Sequence, residues 1–138
     1  MQTMSLAEER VTLRILLAED NLVNQKLAVR MLRKLGYQVD LAINGVEVLQ
    51  ALHRQPYDVV LMDVEMPEMD GLTATRHICQ KWCASQRPRI IALTSFALKG
   101  DKERCLEAGM DDYVTKPIVF PELVNALEKA TPSLALSH

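Results

Sequence analysis

The sequence of 138 residues is poor in aromatic side chains and has no large excess of either charge. It contains one Trp, three Tyr and two Phe, and its 16 basic and 18 acidic side chains leave a net charge of -2. A chain without a basic excess has no diffuse attraction for nucleic-acid phosphates or anionic lipids. These absences argue against a nucleic-acid partner and against direct membrane contact.

Long apolar runs, paired cysteines and a secretory leader are also missing. The longest apolar stretches, such as residues 15–18 and 59–62, are far shorter than the roughly 20 residues that a membrane helix needs. Three cysteines without a CxxC pattern fit a reducing compartment, and the polar residues 1–10 do not resemble a signal peptide. We therefore expect a cytoplasmic location.

Short apolar segments alternate with longer segments of helical spacing along the chain. Residues 14–19, 38–42, 58–63, 89–94 and 112–115 are predicted strands, and Gly36 is predicted to end the first helix. The alternation predicts an α/β fold, a single doubly wound (βα)5 domain whose five-stranded parallel sheet has the order 2-1-3-4-5. We expect this domain to span residues 13–131, between tails at 1–12 and 132–138.

Polar side chains stand at the predicted carboxyl ends of four strands. Glu19 and Asp20 follow the first strand, Asp63 ends the third, Thr94 ends the fourth and Lys116 follows the fifth. In open α/β sheets, ligands bind beyond these strand ends. Three close carboxylates repel one another unless a cation or a phosphoryl partner compensates, and Mg²⁺ binds such oxygens. The set indicates a phosphoryl-transfer site in which an aspartate can become an aspartyl phosphate.

Each of these residues alone has a plainer structural interpretation. Glu19 and Asp20 could cap the first helix, Asp63 could belong to a turn, and Lys116 could be solvated. Only their joint placement at neighbouring strand ends favours the chemical interpretation.

Other polar residues are expected to have structural roles. The pair Asp111 and Asp112 precedes the fifth strand, at the far edge of the sheet from the candidate site, and is expected in a solvated loop. Cys79 and Cys83 are expected to pack within the protein, and His53 and His77 lie in predicted helices without a neighbouring nucleophile.

Six short motifs occur in register along the chain. They are residues 16–21 (LLAEDN), 59–63 (VVLMD), 66–71 (MPEMDG), 92–94 (ALT), 107–113 (EAGMDDY) and 115–117 (TKP). Together they resemble the receiver domain of two-component response regulators and hybrid histidine kinases. The resemblance covers about residues 13–130 and implies the flavodoxin-like fold of that family.

The resemblance implies which residues accept the phosphoryl group and hold the metal. Asp63 matches the phosphoaccepting aspartate of the family. Glu19, Asp20 and Asp63, together with the backbone carbonyl of Glu65, match the ligands of Mg²⁺, for which Mn²⁺ is an alternative. Asp20 is expected to bind the ion directly and Glu19 to reach it through water.

The resemblance also implies a switch. Thr94 and Lys116 match the pair that binds the phosphoryl group, and Tyr113 matches the aromatic residue that turns inward when Thr94 moves. The bond between Lys116 and Pro117 matches a peptide bond that is cis in the family.

Two residues depart from the commonest family pattern, Glu65 and Phe96. Both are expected at the mouth of the site, where they could set the lifetime of the phosphoryl group on Asp63. Phe96 is bulky and apolar and could exclude a hydrolytic water. Glu65 could orient that water or bond to Lys116 and obstruct it. We expect obstruction and a comparatively long-lived phosphoryl group.

The implied function is that of a phosphorylation-controlled switch. A histidine kinase or a histidine phosphotransfer domain would donate to Asp63, and the domain would catalyse only its own phosphorylation and dephosphorylation. Asn21 and Asn24 are typical of receivers attached to hybrid sensor histidine kinases, so we expect a tether to a membrane-bound kinase. A monomer or a weak dimer through helix 4, strand 5 and helix 5 is expected.

Three alternatives stay open at this stage. The chain could be a stand-alone response regulator. The run Asp63-Val64-Glu65 loosely matches the DxD start of aspartate-nucleophile phosphatases of the haloacid-dehalogenase kind. A docking module that is never phosphorylated is the third alternative.

Overall fold

A computed structural model describes residues 13–95 and 99–130 of the chain. Strand and helix alternate five times, as the apolar pattern predicted, although β1 and β3 are each one residue shorter than predicted. No helix within these ranges has the length and apolar character needed to cross a bilayer. The elements are β1 Arg14–Ala18, α1 Leu22–Lys34, β2 Gln38–Ala42, α2 Gly45–Arg54, β3 Val59–Asp63, α3 Gly71–Lys81, β4 Arg89–Thr94, α4 Lys99–Ala108, β5 Asp112–Thr115 and α5 Phe120–Lys129.

The five strands form one parallel sheet in the order β2-β1-β3-β4-β5, which confirms the predicted topology. Leu16 of β1 lies beside Asp40 of β2 on one side and Val60 of β3 on the other. All five residues of β3 are buried, because helices cover both faces of the sheet, and this explains its continuous apolar sequence. The strand order reverses between β1 and β3, so the carboxyl ends of these two strands border the predicted site.

Two apolar layers hold the helices to the sheet. One cluster joins Leu16, Val60 and Ile90 to side chains of α2, α3 and α4. The other joins Leu17 and Leu61 to side chains of α1 and α5. Neighbouring strand residues enter opposite layers because their side chains alternate between the faces of the sheet.

Polar side chains fix the starts of three helices at the carboxyl edge of the sheet. Asn21, Asn44 and Asp70 each accept a hydrogen bond from a backbone N–H three residues further on, at the starts of α1, α2 and α3. These bonds satisfy N–H groups that no helical carbonyl can reach. The caps therefore define where each loop near the candidate site ends.

Gly36 ends α1 with a φ of 92°. Its N–H donates to the carbonyl of Arg33, and the N–H of Tyr37 donates to the carbonyl of Leu32. This pair of bonds is the Schellman motif, whose left-handed residue is usually glycine. The predicted end of the first helix is confirmed.

The expectations for residues away from the site are met only in part. Asp111 is exposed, but its Oδ2 also accepts a hydrogen bond from the Ile90 N–H at 2.8 Å. The carboxylate therefore ties the segment before β5 to the start of β4. Cys83 is exposed, so the prediction that it packs inside the protein is wrong, because α3 has already ended at Lys81.

Gly71, the first residue of α3, lies against the backbone of β3. Its N–H donates to the carbonyl of Val64 at 2.9 Å. A Cβ at this position would collide with the carbonyl oxygen of Asp63 and would lie 2.9 Å from Met62 Cγ. Glycine therefore permits the close approach that fixes the loop after Asp63.

Replacing Gly71 with alanine is expected to lower the free energy of unfolding by about 2–3 kcal/mol, because the new Cβ forces α3 and β3 apart. Gly100→Ala is the control, since a Cβ at Gly100 has no atom within 4 Å. The control should be neutral or stabilising by up to about 1 kcal/mol, as alanine is the better helix former. Urea denaturation measures both changes, and equal effects would contradict the close packing at Gly71.

Candidate functional site

The carboxyl edge of the sheet brings together the five side chains that the strand ends predicted. Asp63 ends β3 at the centre, and Thr94 ends the neighbouring strand β4. Glu19 and Asp20 follow β1 on the other side of β3, and Lys116 follows β5. Asp20 is exposed, whereas the other four are buried or half-buried. The arrangement is a polar site whose floor is the end of β3.

Lys116 contacts the carboxylates of both Asp63 and Glu19. Its Nζ donates a hydrogen bond to Asp63 Oδ2 at 2.8 Å and lies 3.0 Å from Glu19 Oε1. The second contact is an ion pair whose angles fall outside those of a hydrogen bond, so Oε1 has no hydrogen-bond partner within the described ranges. Asp63 is 6% exposed and Glu19 only 1% exposed. One ammonium group is therefore shared by two buried carboxylates.

The environment shifts the pKa values of Asp63 and Lys116. Burial raises the pKa of Asp63 to about 6, although hydrogen bonds from Lys116 and from the backbone N–H of Glu65 favour its ionised form. Burial lowers the pKa of Lys116, but its bonds with Asp63 and Glu19 outweigh that effect, and its pKa is raised. Lys116 thus stays charged at neutral pH. A further cation at the site would favour the Asp63 carboxylate.

Three carboxylates converge closely enough to share one metal ion. Glu19, Asp20 and Asp63 each offer an oxygen that lies within 4.8 Å of the others. Hard divalent cations such as Mg²⁺ prefer oxygen ligands. The donor set fits Mg²⁺.

A cavity of about 390 Å³ opens beside Asp63. Thr94 and Glu65 line it next to Asp63, and Arg104 and Cys105 contribute from α4. The space can admit a phosphoryl group and water at the Asp63 carboxylate.

Glu65 and Phe96 were predicted to lie at the mouth of the site. Glu65 is exposed, lines the cavity, and donates its backbone N–H to Asp63 Oδ1 at 3.1 Å. Phe96 lies outside the described residues. The suggested bond between Glu65 and Lys116 is wrong, since the buried carboxylates of Asp63 and Glu19 take up the ammonium group instead.

The residues implied in switching lie on the two strands next to the site. Tyr113 on β5 is half-buried, and Lys102 Nζ lies 5.4 Å from the centre of its ring. The N–H of Lys116 donates to the carbonyl of Thr94 at 2.7 Å, and the peptide bond between Lys116 and Pro117 is cis.

Two further residues shape the site through contacts with Glu19 that the sequence pattern did not predict. The N–H of Asn21 donates to Glu19 Oε2 at 3.2 Å, and Gln25 Nε2 donates to the carbonyl of Glu19 at 2.6 Å. Gln25 shares the buried face of α1 with Ala28 and Leu32. A polar residue at a position that helical spacing assigns to the core was the signal that could have identified it.

Comparisons with known proteins agree with this geometry. The sequence matches the response regulator receiver domain family over residues 15–128. It is 47% identical over 126 residues to histidine protein kinase 1 of Candida albicans. The match covers 85% of this chain but only 5% of that protein.

Two solved structures show the same fold. The receiver domain of a sensor histidine kinase from Pseudomonas aeruginosa, with a magnesium ion coordinated in its active site cleft, has a TM-score of 0.80 at 45% identity, over 88% of this chain and 99% of that one. The second is a Saccharomyces cerevisiae complex of the histidine phosphotransfer protein Ypd1 with the receiver domain of the response regulator Ssk1. It has a TM-score of 0.81 at 27% identity, over 91% of this chain and 93% of the matched chain.

Asp63→Asn is expected to stabilise the metal-free protein at pH 7.5. Because the pKa of Asp63 is raised to about 6 in the folded state, and unfolded Asp ionises near pH 3.9, the folded state holds the proton more tightly between these values. The contribution of Asp63 to the free energy of unfolding therefore falls as pH rises from about 4 to 6 and stays low above.

The expected gain in the free energy of unfolding at pH 7.5 is about 1 kcal/mol, because solvent in the cavity screens the buried charge. This gain should be smaller at pH 4.5. Urea denaturation in EDTA at both pH values measures it. Glu103→Gln, which removes one exposed carboxylate of α4, controls for net charge. A loss of stability at pH 7.5 would show that the bond to Lys116 outweighs the burial of Asp63.

Proposed function

The chain belongs to the response regulator receiver domain family, which acts in two-component phosphorelays, and on that basis we propose that Asp63 accepts a phosphoryl group from a phosphohistidine. One observation carries the proposal. The buried carboxylate of Asp63 lies 2.8 Å from the Lys116 ammonium and within 4.8 Å of oxygens of Glu19 and Asp20. This arrangement has a nucleophile, a fixed positive charge and a set of metal ligands at one strand end.

Transfer to Asp63 breaks the N–P bond of the phosphohistidine and forms an O–P bond to a carboxylate oxygen. The imidazole leaves as a neutral ring whose other nitrogen keeps its proton. Lys116 favours the ionised, attacking form of Asp63 and then binds a phosphoryl oxygen, as does the hydroxyl of Thr94. The domain thus supplies the side chains that assist its own modification, together with the ligands of the metal ion.

The proposed metal ligands are the carboxylates of Glu19, Asp20 and Asp63 and the backbone carbonyl of Glu65. Bound Mg²⁺ would neutralise charge on the oxygens of the transferring group. The 4.8 Å cluster supports this assignment, as does the magnesium ion in the Pseudomonas receiver. Mn²⁺ is an alternative ion for the same oxygens.

We propose that access of water through the cavity sets the lifetime of the phosphoryl group on Asp63. Glu65 is exposed on the cavity wall and is placed to orient that water. The proposed role of Phe96 in excluding water rests on its bulky, apolar side chain in the sequence. Release of phosphate returns Asp63 to its carboxylate form, so the domain turns over only its own acyl phosphate.

Phosphorylation is proposed to draw Thr94 toward the phosphoryl group and to let Tyr113 turn inward. Lys102 over the Tyr113 ring would then lose its contact, and the surface of α4, β5 and α5 would change. This change is a shift between two populations of the domain. The same surface is the proposed face of a weak dimer.

The parent protein is proposed to be a hybrid sensor histidine kinase. The kinase relative from Candida albicans supports this context, although this chain spans 5% of that protein's length. A stand-alone response regulator is the second candidate. Finding a kinase core encoded in the same reading frame as the receiver would distinguish the hybrid kinase from the stand-alone response regulator.

We propose that a histidine phosphotransfer domain or kinase docks on apolar side chains around the site. Leu22 and Val23, on the first turn of α1 after Asp20, are 67% and 73% exposed. Val119 and Phe120, at the start of α5, are 44% and 37% exposed. Both pairs flank the edge through which a donor must reach buried Asp63. The yeast complex of a receiver with a phosphotransfer protein supports this kind of partner.

Asp63 should accept one phosphoryl group from acetyl phosphate when Mg²⁺ is present, because the residues that stabilise the transferring group belong to the receiver. Intact-mass spectrometry measures the product, and Asp63→Asn should abolish it. Asp40→Asn, on β2 and outside the site, is the control and should retain wild-type labelling. Labelling of Asp63→Asn at the wild-type level, or many turnovers of a small phosphoester, would contradict the proposal.

Replacing Leu22 and Val23 together with serine should slow phosphoryl transfer from phosphorylated Ypd1 about thirtyfold, since the two lost apolar contacts each weaken docking by about 1 kcal/mol. The rate with acetyl phosphate should not change, because the small donor needs no docking surface. Leu106→Ser, which alters an apolar side chain of α4 that is 44% exposed, is the matched control. Equal slowing with both donors, or a wild-type rate with Ypd1, would rule out docking at Leu22 and Val23.

A further inference from the structure

Gln25 is a polar side chain on the otherwise apolar buried face of α1. The buried residues of this helix are Gln25, Ala28 and Leu32, and Gln25 is 6% exposed. A buried amide is unfavourable unless its polar atoms are bonded. Its Nε2 donates to the backbone carbonyl of Glu19 at 2.6 Å, across the turn between β1 and α1. The contact joins the second turn of the helix to the acidic pair of the site.

The other polar groups of Glu19 also have partners, although the contact at Oε1 is an ion pair and not a hydrogen bond. Its N–H donates to the carbonyl of Ala42 at 3.0 Å. Its side-chain oxygens lie 3.2 Å from the N–H of Asn21 and 3.0 Å from Lys116 Nζ. The bond from Gln25 completes this set by fixing the carbonyl of Glu19, which belongs to the peptide unit that leads into Asp20.

Asp20 depends on this peptide unit for its position. Within the described ranges, its carboxylate makes no hydrogen bond or ion pair, and the residue is exposed. Because no contact of its own orients the carboxylate, the backbone that carries Asp20 sets where its oxygen lies. That oxygen is one of the three that lie within 4.8 Å of one another.

We propose that Gln25 is a positioning residue for the divalent cation, holding the peptide between Glu19 and Asp20 so that the Asp20 carboxylate faces those of Glu19 and Asp63. This inference rests on the proposed metal site. Gln25 touches neither the metal nor the phosphoryl group, and it acts through a residue that does. Groups that orient metal ligands in this way typically change metal affinity 10- to 100-fold when removed.

The test is Mg²⁺ binding by isothermal titration calorimetry with the whole chain. Gln25→Met keeps the length and helix preference of the side chain but cannot donate a hydrogen bond, and it should weaken Mg²⁺ binding about tenfold. Gln50→Met, an exposed position on α2, is the matched control and should bind as the wild type does. Gln25→Asn keeps the amide on a side chain too short to reach the carbonyl of Glu19, and it should also bind weakly.

A second readout separates positioning from general stability. In the reaction with acetyl phosphate, Gln25→Met should raise the Mg²⁺ concentration for half-maximal rate about tenfold, while the rate at saturating Mg²⁺ stays within about twofold of wild type. A merely structural role would lower the urea midpoint without moving the Mg²⁺ dependence.

The outcomes distinguish this inference from the proposed function. Unchanged Mg²⁺ affinity in both Gln25 variants, with normal binding by the wild type, overturns the role of Gln25 alone. A fall in rate at saturating Mg²⁺ without a change in affinity overturns it as well. Failure of the wild type to bind Mg²⁺ overturns the metal site itself.

Discussion

The ammonium group of Lys116, held between the carboxylates of Asp63 and Glu19, is the interaction on which the rest of the site depends. Two carboxylates buried at 6% and 1% exposure would repel each other and favour protonation without it. With it, Asp63 can be ionised and nucleophilic in a place that excludes most solvent. One positive charge for three converging carboxylates still leaves an excess of negative charge, which a divalent cation would balance. The same imbalance gives the site its proposed affinity for metal.

The fold makes this charge arrangement possible because the parallel strands end at one edge of the sheet. Asp63 projects from the central strand β3, while Glu19 and Lys116 come from either side. The turn after each strand is then fixed by local bonds, such as the caps at Asn21 and Asp70. Burial of Asp63 raises its pKa, and in the proposed reaction the same burial would limit the access of water to the acyl phosphate.

The sequence was sufficient to predict the strand order and the residues at the strand ends. Apolar segments of strand length define the sheet, and the rule that ligands bind at its carboxyl edge selects Glu19, Asp63 and Lys116 without coordinates. The sequence was insufficient for contacts that depend on side-chain reach. Lys116 pairs with buried Glu19 rather than with Glu65, and Gln25 turns inward to the backbone of Glu19. Such choices depend on burial and distance, which periodicity does not report.

The central claim is that the strand end of β3 carries the phosphoaccepting carboxylate. Borohydride reduces an aspartyl phosphate to homoserine and leaves free carboxylates intact, so peptide mass spectrometry after acetyl phosphate and Mg²⁺ treatment locates the acceptor directly. The account predicts homoserine at position 63 alone, and none when EDTA replaces Mg²⁺. Homoserine at Asp20 or at another aspartate, or its formation at position 63 without a divalent cation, would contradict the account.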